Sequence, residues 1–268
     1  MINRRTRITI LCAITGLSAL LLVLLPRIPQ PLSYHAFADA RPIFGVANGF
    51  DVLSNLAFLA VGALGLFLLL SPDSRRLRVS FLASQERWAY LVFFLGVTLT
   101  SFGSAFYHLA PNNATLVWDR LPMTVAFLSF LSATIAERIS VNASLRLLLP
   151  LLAFGVASVF YWQYSELHGR GDLRPYLFAQ FFPMLIIPVM IFMFPPRYTR
   201  ATDLLGVFAA YALAKILELL DRPIFSLGQI VSGHTLKHLA AALASFLLLR
   251  MLWLRSPIEP ATSLRPME

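Results

Sequence analysis

The segment SFGSAFYHLAPNNATLVWDRLPM, residues 101–123, decides how this chain is read. It begins as the tail of one apolar run and ends as the head of another, so it reads as the turn between two membrane helices. Ser104, His108 and Asp119 flank that turn, at the depth where lipid begins. Ionisable groups in spanning segments are costly, and by default they mark function. The question is what an imidazole and a carboxylate do there.

The rest of the chain supports the membrane setting. Its 268 residues are 58% hydrophobic and 13% charged, with a mean hydropathy of +0.72. A soluble domain carries about 25% charged residues. A spanning helix needs about 20 apolar residues, and eight segments qualify: 8–25, 51–70, 88–108, 116–136, 146–164, 175–194, 202–220 and 231–253. Only helices and closed barrels satisfy their backbone groups in lipid. The expectation is an all-α integral membrane bundle.

Charge then gives topology. The net charge of +9 comes with 22 basic residues, and all but Lys215 and Lys237 are arginines. In a membrane protein surplus arginine marks cytoplasmic loops, so no nucleic-acid partner is expected. With the N-terminus inside, 14 arginines fall on the cytoplasmic side and 6 on the other. Both termini are therefore expected in the cytoplasm, with the inner membrane as the site in a double-membraned bacterium. His108, Asp119, His234 and His238 then all approach the outer face. The lone Cys12 excludes an intramolecular disulfide and a cysteine-based metal site. The opening MINRRTR precedes an 18-residue apolar core, longer than the ~7–15 residues of a cleaved signal core, and reads as an uncleaved anchor. The expected organisation is an anchor helix and outer loop over 1–48, a seven-helix core over 49–254 and a polar tail over 255–268.

Spacing adds chemistry. Ser104 and His108 are four apart and face one way on a helix, as do His234 and His238. Two imidazoles at that spacing can chelate one metal ion. A third from another helix leaves one tetrahedral position open, the pattern of a catalytic zinc site. Asp119 has the chemistry to take a proton from the zinc-bound water, and Ser104 to donate to a developing oxyanion. Blander readings compete. A membrane histidine is often only packed or hydrogen-bonded, paired histidines also ligate haem, and an aspartate near a helix start complements the helix dipole. A receptor-like sensor with a structural metal is a further alternative.

Together SAFYH (Ser104, His108), VWDRLPM (Asp119) and GHTLKH (His234, His238) resemble the signature of the alkaline ceramidases. These belong to a superfamily of seven-helix membrane hydrolases that also includes the progestin and adipoQ receptors. FDVLSNLAFLAVG, with Ser54 and Asn55, resembles the first core helix of that family, and the likeness spans about residues 35–253. It implies that His108, His234 and His238 hold Zn²⁺, that Asp119 acts on the zinc water and that Ser104 stabilises the transition state. The implied reaction is hydrolysis of the amide of ceramide or another N-acyl lipid to a fatty acid and a long-chain base. The family also binds Ca²⁺ through an acidic loop. Here Asn48 stands in register with a glutamate of that loop, and Asp51 replaces an asparagine. Asp39 is the only other acid, against the six to eight oxygens calcium prefers. Ca²⁺ is left open as a second ion without a conventional ligand set.

Other polar residues read as structural. Lys215 and Glu218 are spaced to pair on one helix face. Lys237 is expected to snorkel to the outer surface, and His35 and His168 to sit on loops. Trp88, Trp118, Trp162 and Trp253 are expected in interfacial belts.

Overall fold

The computed structural model describes residues 3–72 and 74–258. Of the polar tail expected over 255–268, residues 259–268 lie outside the described residues. The helices are α1 Arg4–Leu24, α2 Gly49–Leu53, α3 Leu56–Leu70, α4 Arg75–Arg78, α5 Arg87–Leu109, α6 Asn113–Arg138, α7 Val141–Leu167, α8 Arg174–Met193, α9 Asp203–Leu219, α10 Asp221–Ser226 and α11 Gly233–Leu254. Among the described residues there is no strand, only the isolated bridges Ile43–Val46 and Tyr198–Pro257.

Each of the eight apolar segments is helical, residues 51–70 as the two helices α2 and α3 on either side of Ser54 and Asn55. Seven of the spans, α2 and α3 counting as one, are long and apolar enough to cross a membrane. The eighth, α9, has 17 residues, or about 26 Å at the α-helical rise, slightly short of the ~30 Å hydrocarbon thickness. It packs along α11 and is followed at once by α10. The N-terminal helix α1 lies on the rim against α8, with 6% of its apolar window buried. It stands outside the bundle that the other spans form.

Local signals set the turn that carries the candidate residues. Asn112 caps α6, accepting from Ala114 N at 2.9 Å and Thr115 N at 3.0 Å, and the Thr115 hydroxyl returns the bond to the cap. This capping box fixes where α6 starts. A β-carbon on Gly103 would strike the Trp118 carbonyl, and one on Gly96 would press on the Ala126 backbone. The two helices therefore touch backbone to backbone, as small residues allow in membranes. Ser104 and Asp119 each follow one residue after that contact, and it brings them face to face. Similarly, Gly233 lets the first turn of α11 close on the Leu217 carbonyl and on Asp221.

The tryptophans divide. Trp88, Trp118 and Trp253 are 57%, 56% and 38% exposed, as interfacial residues are. Trp162 is fully buried and corrects the expectation of a belt residue. Helix α7 runs to Leu167, so Trp162 lies inside the bundle, donating its indole N–H to Glu166 Oε1 at 3.0 Å.

Candidate metal centre

Three imidazoles from two helices meet at one end of the bundle. His108 ends α5, and His234 and His238 begin α11. All three are buried, and one ligand nitrogen of each lies within 4.8 Å of the others. Their ring centroids are 4.8–5.0 Å apart. This group can hold a metal ion. The spacing of four residues in α11 supplies two of the rings, and α3 and α2, which pack on both α5 and α11, bring His108 to them.

The hydrogen bonds around the rings prepare nitrogens for an ion. The single Ser54 hydroxyl proton goes to the Asp51 carbonyl at 3.0 Å, so Ser54 Oγ accepts from His238 Nδ1 at 2.7 Å. That leaves the His238 Nε2 lone pair free, the second-shell arrangement usual for metal-bound histidine. Lys237 Nζ lies 3.3 Å from His234 Nε2, whose lone pair it engages, a bond that an ion on that nitrogen would replace. His108 Nδ1 is buried without a hydrogen-bonding partner, and buried polar atoms seldom lack one. Phe37 covers the cluster, its ring 4.6 Å from His108 and 4.5 Å from His234. An all-imidazole set suits zinc, copper, iron or nickel, and these residues fit such an ion.

Asp119 and Ser104 stand beside this cluster, both buried, with the Ser104 hydroxyl turned to the Asp119 carboxylate. Both line a cavity of about 270 Å³ that also reaches His238. One end of the cavity is charged, with Asp119, Arg120, Glu218 and Lys237. The other, toward the ends of α5 and α6 that carry Phe93 and Phe130, is apolar and closes on Phe208 and Leu248.

Several sequence expectations need correction. Lys237 does not snorkel outward: it pairs with Glu218 at 2.8 Å and lines the cavity. Glu218 also pairs with Lys215, as their spacing anticipates. The second lysine reaches the same carboxylate because α9 and α11 pack closely. His35 is more than a surface residue, since its ring bonds Tyr107 Oη and Asn113 Oδ1, both at 2.8 Å. His168 stays on its loop, exposed and bonded to Tyr164 O.

The loop compared with a calcium-binding segment is otherwise engaged. Asn48 donates to the His108 carbonyl at 2.7 Å, and Arg41 holds both oxygens of Asp39. Asp51 Oδ1 accepts from Thr235 at 2.6 Å and Ser232 at 3.3 Å, while its Oδ2 is unpartnered. Asp221 is a further tie: it accepts from His234 N and Ala38 N, both at 2.9 Å. Ser54 had a readable signal in its Ser-Asn pair, but its partner lies 184 positions away.

A family model described as Ceramidase matches residues 44–213. The match takes in Ser54, Ser104, His108 and Asp119 and ends before the histidine pair of α11. No curated protein matches the chain.

Proposed function

The chain belongs to the ceramidase family, and from that premise we propose that it is a zinc-dependent amidase cleaving ceramide or a related N-acyl lipid. Membership supports a ceramide-hydrolysing membrane enzyme. The observation that carries the finer reading is a cluster of three buried histidines, one of which, His238, lines with Asp119 and Ser104 a cavity whose far end is apolar. An amphipathic cavity takes an amphipathic molecule, with the acyl chain against Phe93, Phe130, Phe208 and Leu248.

His108, His234 and His238 would hold the ion. Zinc bound there supplies Lewis acidity and a nucleophilic hydroxide near neutral pH. Asp119 is the general base: it takes the proton released as the water oxygen bonds to the amide carbon. When the carbon–nitrogen bond breaks, the same carboxyl returns that proton to the departing amine. Ser104 donates either to Asp119 or to the oxygen that gains charge, and it orients the carboxylate between the two steps. Ser54 fixes the His238 tautomer. Burial of the site excludes bulk water, which strengthens each of these interactions.

The arginine distribution supports an inner-membrane orientation with both termini in the cytoplasm and the histidines toward the outer face. The test of function is purified protein assayed for bound metal and for fatty-acid release from ceramide. Zinc near one per chain and release of free fatty acid are expected. A His234→Ala variant that keeps full metal content and full activity would end the proposal.

A further inference from the structure

Among the described residues, Arg120 is the cavity-wall cation that contacts no carboxylate. It follows Asp119 on α6, lines the cavity and is 4% exposed. Nη2 donates to Gln30 Oε1 at 2.5 Å, while the buried Nη1 has no hydrogen-bonding partner. Among the described residues it forms no ion pair. Its guanidinium lies instead 4.1 Å from the Trp162 ring centroid and 4.4 Å from that of Tyr176.

The neighbouring charges are committed elsewhere. Lys215 and Lys237 share Glu218, and Asp119, near enough to feel the Arg120 charge, takes its hydrogen bond from Ser104 and makes none with Arg120. Stacking on aromatic faces orients a guanidinium without neutralising it. A buried cation without a carboxylate in contact is costly. A planar fork with an idle N–H is matched by an oxygen anion.

We propose that Arg120 receives an anionic group on the amine side of the lipid amide, so the preferred substrates are N-acyl lipids bearing a carboxylate or a comparable single anion. The cavity's layout gives the side. The acyl chain takes the apolar end, while Arg120 lies at the charged end with Gln30 and Tyr34, where the other half of the amide emerges. The substrate class rests on the amidase reading, but the binding of an anion does not.

The test uses the full chain in lipid nanodiscs, with N-palmitoylglycine, its methyl ester and free palmitate as probes. Binding is measured after metal chelation, and amide hydrolysis on the metal-loaded protein. The acid should bind about tenfold or more tightly than its ester, as expected for a charge-assisted pair. Arg120→Gln should abolish the difference, and Arg120→Lys, with charge but no fork, should keep part of it. Equal binding of acid and ester by the unaltered protein overturns the proposal, and misfolding of a variant cannot hide that result. A charge preference shown by palmitate but not by N-palmitoylglycine also overturns it, since Arg120 would then hold the released fatty acid. An acid preference without cleavage of any amide upholds the anion site and sinks the amidase reading. Ceramide cleavage without a charge preference does the reverse.

Discussion

At one end of the bundle Glu137 meets Arg255 and Tyr90; at the other, Asp119 meets Ser104 beside three histidines. Both sets are buried, yet they differ in what their charges face. Arg255 pairs with Glu137 and lies 4.1 Å from the Tyr198 ring centroid and 4.8 Å from that of Phe81. Tyr90 donates to Glu137 at 2.5 Å, and Glu86 is held by Tyr198 and Arg197. The opening among these groups is about 10 Å³, room for one water at most. Single atoms such as Arg255 Nη2 lack partners, but each belongs to a group already paired. The histidine end instead borders a cavity of about 270 Å³, and its unpartnered atoms include His108 Nδ1 and Arg120 Nη1. Buried charge closed on itself holds helices together. Buried polarity left open beside a cavity awaits a ligand.

The strongest way to break this comparison is at the histidines. His234→Ala should remove bound metal and lower amidase activity by more than the roughly 10–100-fold that follows loss of a second-shell partner. Its thermal unfolding in detergent should shift little once the unaltered protein has been stripped of metal. A large loss of stability in that metal-free comparison would place the histidines with the structural set.

The arginine end should behave in the opposite way. Glu137→Ala leaves Arg255 buried without its carboxylate and should cost about 3–5 kcal/mol of stability. Activity per folded molecule should be retained. The double variant Glu137→Leu, Arg255→Met should recover most of the loss, because apolar residues of similar size replace such pairs well. Denaturant unfolding of the single and double variants measures the coupling. A loss in the double variant as large as the Glu137 and Arg255 single losses added together would mean that the two residues act separately.

A smaller effect sharpens the boundary within the histidine end. Ser54→Ala removes the acceptor that holds His238 in its tautomer. Metal affinity should fall roughly 10–100-fold, while saturating metal restores much of the activity. Competition with a fluorescent chelator reads this directly. Unchanged affinity would mean that packing against Phe58, 5.9 Å away between ring centroids, is enough to orient the ring.

What could be read in advance follows from these distinctions. The apolar runs appear along one dimension, so all eight helices were legible, α9 falling short only in length. His234 and His238 were legible as neighbours because helical spacing is local. That His108 joins them depends on α3 and α2 packing between α5 and α11, a meeting that resemblance suggested and spacing alone did not. Ser54 on His238, Lys237 on Glu218 and the idle face of Arg120 are tertiary facts, made by partners far away in sequence. Trp162 was misjudged for the same reason, and the bonds of His35 to Tyr107 and Asn113 are tertiary too. One signal was local and passed unread: Asp39-Ala-Arg41-Pro and Asp172-Leu-Arg174-Pro repeat a motif. In both, the arginine grips its own aspartate through two nitrogens and then reaches backbone carbonyls of another segment.

These clasps give the smallest expected effect. Arg41 ties the loop before α2 to the carbonyls of Gln229 at 2.6 Å and Ile230 at 3.0 Å, just before α11. Its hydrogen bonds hold the Asp39 carboxyl below the usual range, and Arg174 does the same for Asp172. A carboxyl depressed in the folded state adds stability above its unfolded value, near 3.8 for aspartate, and loses it as pH falls through the lower folded value. The loop over residues 36–48 should therefore keep constant hydrogen-exchange protection from pH 7 to about 4 and lose it below. Arg41 is solvent-exposed on its outer side, so screening keeps the change small, less than about fivefold in exchange rate. Arg41→Gln should bring the acid-state rate to neutral pH and flatten the profile. A loop whose protection in the unaltered protein stays level down to pH 3 would show that the backbone contacts of Asp221 and Asn48 hold it without the clasp, and the closed, paired logic of the arginine end would then not extend to the loops that cover the histidines.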